Sequence, residues 1–248
     1  MTGKSEPAPP RRTQAPPGRT QAPPAAGRAP RTPRLGRPPQ VDREAIVRAA
    51  VTVGFGRLGM STVAQRLGTK HSTLYRYFAT RDDLVAATVD AVVAAADWPE
   101  PTGSWRQDLA AHAWATYRLL ERHPGLAGHI VSLRGNSEAY GKVNGRVVSR
   151  LVDAGFRAES AILAHDVVHE QVLMFFLAGQ GSGDDGEATT PQRAAELRRE
   201  QLPDALEEID PRLREALAGI VRGEPERWFA RKLDVLLDGL APLAPGAG

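Results

Sequence analysis

The chain of 248 residues contains no cysteine. Disulfide scaffolds, thiolate zinc sites and cysteine nucleophiles are thereby excluded. Aromatic residues are scarce, at 6%. Nowhere do β-branched residues alternate with polar ones between turn signals, so no strand is expected. Long apolar runs are also missing. The longest weakly polar stretch, Leu84 to Ala96, is interrupted by Asp90 and falls short of the roughly 20 apolar residues that a bilayer span needs. The first residues show no apolar segment of a secretory signal. A cytoplasmic protein with no membrane partner is therefore expected. Hydrophobic residues make up 42%, enough for a packed core.

Charge is unevenly placed. Residues 1–40 carry Lys4 and seven arginines against Glu6 alone, and they hold 11 of the 20 prolines. They contain no Val, Ile, Phe, Tyr or Trp. Such a segment cannot bury enough apolar surface to offset the entropy of ordering. It repeats itself, as Arg12-Thr-Gln-Ala-Pro-Pro-Gly18 and then Arg19-Thr-Gln-Ala-Pro-Pro-Ala25. A disordered, polyproline-like basic tail over 1–40 is expected, suited to polyanions. Within it, Pro33-Arg-Leu-Gly-Arg-Pro38 is similar to the core of an AT-hook, whose arginines enter the A·T minor groove. Leu35 interrupts that pattern.

From residue 41 onward the apolar residues recur with helical period, which predicts an all-α protein. Asp42 is an N-cap candidate for a helix burying Ile46, Ala49, Ala50 and Val53. Gly54, Gly56 and Gly59 break the chain. Short helices follow over 60–67 and 72–78, separated by Gly68, which suits a left-handed C-terminal cap. Thr80 and Asp83 have capping-box spacing, and the helix they open carries Leu84, Val85, Thr88, Val89, Val92, Val93 and Ala96. Further helices are predicted over about 104–122, 126–133, 137–154, 158–178, 211–221 and 225–240. Gly179 to Gly186 reads as a mobile acidic loop. The expected division is a basic tail over 1–40, a DNA-binding unit over 41–80, a helical ligand-binding and dimerisation unit over 81–241, and a disordered end over 242–248.

Residues 60–78 follow the helix-turn-helix plan. Val63, Leu67, Leu74 and Phe78 can make a shared core, and Ala64 is small where the helices cross. Left outside on the second helix are Lys70, His71, Ser72, Thr73, Tyr75, Arg76 and Tyr77. That set is rich in donors and has no acid, which suits a helix in the major groove with its hydroxyls on phosphates.

Ala64-Gln-Arg-Leu-Gly68, Thr73-Leu-Tyr-Arg-Tyr-Phe78 and Arg81-Asp-Asp-Leu84 together resemble the DNA-binding domain of tetracycline-repressor-type (TetR family) regulators. The likeness covers about 42–90. Pro211-Arg-Leu-Arg-Glu-Ala-Leu217 and the last helix resemble the C-terminal region of the same family. The resemblance implies base reading by Ser61 on the first short helix and by His71, Ser72 and Thr73 on the second, with Thr62, Lys70 and Arg76 also among the expected DNA-binding residues. It also implies DNA contacts from Tyr75 and Tyr77, and a phosphate contact from Arg81. One departure is that the segment between Ala50 and the second helix is about four residues shorter than the family's usual spacing. The first helix is therefore expected to end near Val53, with Gly59 in place of a Ser or Thr cap.

Aromatic residues concentrate in the second unit. Trp105, Trp114, Tyr117, Met174, Phe175 and Phe176, with His129 and His169, are the candidate lining of a mostly apolar effector pocket. His165 and His169 have the i, i+4 spacing of a metal pair, but no third ligand is evident, and neither a metal nor a cofactor is expected. By resemblance, the drug–magnesium histidine of the tetracycline repressor falls near His129. Its partner glutamate falls near Ala178 and its second histidine in Ala95-Ala96. Two of three key groups are missing, so an effector other than tetracycline is expected.

The expected protein is not an enzyme. It is a homodimeric repressor, released from a palindromic double-stranded DNA operator by a small-molecule effector, its recognition helices about 34–36 Å apart. The alternatives are an architectural DNA-binding protein without a ligand and a helical metallohydrolase using His165 and His169.

Overall fold

The computed structural model describes residues 41–133, 137–178, 192–193, 195–196, 199–200 and 210–245. The expected basic tail, the loop from Gly179 to Gly186 and residues 246–248 lie outside them. The regular elements among the described residues are all helices, and none of these residues is in a strand.

Helix α1 (Arg43–Val53) starts where Asp42 accepts a hydrogen bond from the Ala45 amide at 2.7 Å, and buries Ile46, Ala49 and Ala50. A 3₁₀ turn over Phe55–Arg57 fills the short connection to α2 (Met60–Arg66). Gly59 caps α2 without a side chain, as its lack of one dictates. At the far end, the Gly68 amide donates to the Gln65 carbonyl at 3.1 Å and the Thr69 amide to the Ala64 carbonyl at 3.0 Å. This is a Schellman cap. Gly68 takes φ +63°, in the region where a Cβ is strained.

Helix α3 is shorter than predicted. Only His71–Leu74 is α-helical. The Arg76 amide then bonds the Thr73 carbonyl and the Tyr77 amide the Leu74 carbonyl, at 3.3 and 2.9 Å. Such i→i+3 bonds tighten the last turn, so the segment predicted as helix to Phe78 ends as turns.

Helix α4 (Arg81–Ala94) opens with both bonds of the capping box between Thr80 and Asp83. It buries Leu84, Val85, Thr88, Val89, Val92 and Val93, and packs on α1 on one side and on α7 (Glu138–Asp153) on the other. Asp90, the acid in its apolar run, accepts from the Ser137 hydroxyl at 2.6 Å and the Ala139 amide at 3.0 Å. It thus satisfies the start of α7. The remaining helices are α5 (Trp105–Arg122), α6 (Leu126–Ser132), α8 (Ala158–Leu177), α9 (Pro211–Arg222) and α10 (Pro225–Leu240). Where the ordered chain is expected to end at residue 241, a further 3₁₀ turn spans Ala241–Leu243.

By length and composition α8 could cross a bilayer, with mean hydropathy 1.2 over its apolar window. This corrects the expectation that no segment is long and apolar enough. Histidines and acids are spread through it, which kept the sequence from showing a continuous apolar run. It packs against α5, α7 and α10 on one side, while Ile162, Leu163 and Met174 are half exposed, so its apolar surface is divided between the core and an outer face.

Candidate nucleic-acid interface and effector site

The α2–α3 pair presents its polar residues outward. Ser61, Thr62, Lys70, His71, Ser72, Tyr75, Arg76 and Arg81 are exposed, while Val63, Ala64, Leu74 and Phe78 are buried beneath them. An open groove of about 540 Å³ runs between the helices, edged by Ser61, Gln65, Thr69, Lys70, His71 and Ser72. From Ala45 to Arg81 the chain has six Lys and Arg residues and no acid. The face offers donors and positive charge, which is what a phosphate backbone and base edges accept from.

The expected contact residues divide by how free they are. The side chains of Lys70, Ser72 and Arg76 make no hydrogen bond among the described residues, and the His71 ring lies edge-on to Tyr75 at 6.2 Å. Tyr75 is 51% exposed. Others already have structural duties. The Thr62 hydroxyl donates to the Arg57 and Gly59 carbonyls, and the Thr73 hydroxyl accepts from Thr69. Tyr77 is half-buried, and its hydroxyl donates to the Val41 carbonyl at 2.7 Å. Arg81 donates to the Leu58 carbonyl at 3.2 Å and stands near Asp82. Arg43 was not singled out from the sequence. Its guanidinium donates to the Tyr77 carbonyl at 2.9 Å and lies 4.3 Å from the centre of the Phe78 ring. It fastens α1 to the end of α3, and only its place in the helix's first turn hinted at that.

In the helical body, Trp114, Tyr117, Phe175, Phe176 and Phe229 form one aromatic cluster, with ring centres 4.8 to 5.9 Å apart for the pairs around Tyr117. Tyr117 is fully buried, and its hydroxyl has no partner among the described residues. Burial, then Glu121 and Glu226, push its ionisation upward, so it stays a neutral donor. Beside the cluster a cavity of about 390 Å³ is lined by Met174, Phe175, Ala178, Ile220, Trp228 and Lys232, among others. Trp105 lies elsewhere, against Phe156 at 5.4 Å. His129 faces the DNA-binding end: its Nε2 lies 3.0 Å from the Phe55 carbonyl and its ring 5.7 Å from the Phe55 ring.

His165 and His169 stack at 5.2 Å. The third histidine that the sequence did not reveal is His112, on α5, with its ring 5.9 Å from that of His165. One nitrogen from each of the three lies within 4.8 Å of the others. Burial and the neighbouring histidines hold His112 down to about 3. Burial, then His165, holds His169 down to about 4. Burial lowers His165 as well, against Asp166, which raises it.

An outward helix-turn-helix pair carried by a helical body with an apolar cavity defines a helix-turn-helix transcriptional regulator. Residues 43–88 match the family described as bacterial regulatory proteins, tetR family, and residues 99–243 match the tetracyclin repressor-like C-terminal domain. The chain belongs to the tetracycline-repressor (TetR) family. It is 26% identical over 208 residues to the class C tetracycline repressor protein of Escherichia coli, covering 81% of this chain and 91% of that one. Its fold is similar to that of the TetR family protein ActR of Streptomyces coelicolor, solved in complex with (S)-DNPA: TM-score 0.64, 22% identity, 84% of this chain and 100% of that one. It is also similar to BioQ, solved with its double-stranded DNA operator: TM-score 0.56, 20% identity, 82% and 99% covered.

Proposed function

We propose that the protein is a homodimeric repressor that grips a palindromic DNA operator through α2 and α3, and releases it when a small, largely apolar effector enters its helical body. The observation that carries this reading is the outward, acid-free, cationic face of α2–α3. ActR was solved with a small molecule and BioQ with operator DNA, and both kinds of partner come to this chain as part of the proposal. The division into a DNA-binding unit over 41–80 and a ligand-binding and dimerisation unit over 81–241 belongs to it too.

Dimerisation is assigned to α8 and α10. Leu163 and Met174, eleven residues apart and so on one side of α8, are 50% and 56% exposed, and Val235 on α10 is 71% exposed. Large apolar side chains left in water on adjacent helices mark an interface, and two such helices per protomer make a four-helix bundle. The effector enters the cavity beside Phe175 and Trp228. Tetracycline is not the effector, since Ala178, Ala95 and Ala96 offer no polar group at the positions where the family's drug-binding residues fall. Movement of the body reaches the DNA face by two routes: α4, held to α7 through Asp90, and α6, held to Phe55 through His129.

Selection of binding sites from random duplexes with the purified protein tests the reading. A palindromic sequence is expected to emerge. His71→Ala then shifts the preference at one position of each half-site, at a cost of about 1–3 kcal/mol on the selected sequence. Equal loss on selected and random DNA would remove His71 from base reading, and failure to enrich any palindrome would overturn the repressor reading.

A further inference from the structure

We propose that His112, His165 and His169 bind one divalent transition-metal ion per chain, of the zinc, cobalt, nickel or copper class.

The first argument is the hydrogen bonding around the rings. Each histidine has one nitrogen beside an oxygen partner: His112 Nε2 is 3.3 Å from the Asn144 amide oxygen, His165 Nδ1 is 3.4 Å from Asp166, and His169 Nε2 is 3.1 Å from the Tyr140 hydroxyl. A ring nitrogen that donates to such an oxygen leaves its other nitrogen unprotonated, with a lone pair free. The other nitrogens of His165 and His169, Nε2 and Nδ1, are buried and have no partner. Metal-binding histidines almost always have this arrangement, one nitrogen on the metal and the other on a carboxylate or another oxygen that fixes the tautomer. A purely structural histidine cluster would pair those inner nitrogens, because each buried group left without a partner costs about 1–3 kcal/mol.

The second argument is geometric. His165 and His169 stand one turn apart on α8, and His112 faces them from α5, so the donors come from two packed helices. Three points within 4.8 Å of one another can be brought to the roughly 2.0–2.1 Å zinc–nitrogen distance by shifts of under about 1 Å each, within reach of ring rotation. Burial keeps the rings neutral, so their lone pairs are free near neutral pH. Three imidazoles suit zinc, copper, nickel or cobalt, whereas magnesium and calcium need oxygen ligands. Three protein ligands leave a coordination position open. Of the nearby charges, Arg150, held on the Pro99 carbonyl, acts against a cation and Asp166 acts for it.

The full-length protein, stripped with a chelator, is titrated with cobalt(II) and then zinc(II), following heat and visible absorption. One ion per chain is expected. The ligand-field bands of low-coordinate cobalt should appear and then vanish when zinc displaces it, and magnesium should give no binding. Tyr140→Phe removes one hydroxyl from the outer shell and is expected to weaken zinc by about 10–100-fold. His165→Gln weakens it more, and His71→Ala, on the exposed DNA face, leaves it unchanged. If His165→Gln does not fold, the Tyr140→Phe affinity decides. No stoichiometric binding of cobalt or zinc, or binding that survives Tyr140→Phe and His165→Gln undiminished, overturns the proposal.

Discussion

From α1 to α4, hydroxyls turned wholly or partly inward have partners. Thr88 donates to the Leu84 carbonyl at 2.6 Å, and Tyr77 reaches the Val41 carbonyl. In α5 and α8 some buried polar groups have none. Among the described residues, the buried side-chain polar atoms without a partner are the Thr116 and Tyr117 hydroxyls, His165 Nε2 and His169 Nδ1, all on those two helices. The contrast runs the other way at the surface. On α2–α3 the exposed side-chain donors of Lys70, Ser72 and Arg76 have no hydrogen-bond partner among the described residues. One region keeps a finished interior and an open exterior, as a rigid reading head needs. The other keeps unfinished polar groups inside, as a body that must admit a ligand needs. Four such atoms at about 1–3 kcal/mol each are a large sum for a fold of ordinary stability.

The largest expected effect tests the finished interior. Phe78 is 1% exposed beneath the α3 turn. Phe78→Ala should cost about 3–5 kcal/mol, read as a lowered midpoint in urea unfolding, and should abolish DNA binding. A loss under about 1 kcal/mol would mean that the reading head is looser than its burial indicates. Next comes the open exterior. Arg76→Ala should leave stability within about 0.5 kcal/mol, weaken binding to all duplexes alike and flatten the slope of log K against log salt by about 0.9. An unchanged slope would place Arg76 off the phosphates.

How much of this contrast was legible in the sequence follows from its locality. Asp42, Gly68 and the Thr80–Asp83 pair act within a few residues of themselves, and the structure uses each as its type and spacing predict. The length of α3 was not legible, because the apolar spacing Leu74–Phe78 fits an α-helix and a run of tight turns equally. The duty of the Tyr77 hydroxyl depends on Val41, across the whole of the first three helices. His112 joins His165 and His169 only because α5 packs on α8, a tertiary event with no local signature. His129 sits among apolar residues that suit a pocket wall, yet α6 turns it toward Phe55.

The same chemical change made in both regions sharpens the comparison, since each Tyr→Phe substitution deletes one hydroxyl. Tyr77→Phe breaks a 2.7 Å bond to Val41, leaves that half-buried carbonyl to water, and should cost about 1 kcal/mol. The Tyr117 hydroxyl is buried with no partner among the described residues, so the native state bears its desolvation without the compensating bond. Tyr117→Phe keeps the ring, and with it the contacts to Trp114, Phe176 and Phe229 at 4.8 to 5.3 Å. Removing the oxygen should therefore be neutral or stabilising, by up to about 1 kcal/mol, in the ligand-free protein. Thermal unfolding of the two variants side by side checks the sign. If Tyr117→Phe destabilises as much as Tyr77→Phe, its hydroxyl has a partner in solution, and the unfinished interior of α5 and α8 is smaller than drawn. If it stabilises the free protein while weakening the effector's release of DNA, the hydroxyl is kept for the ligand.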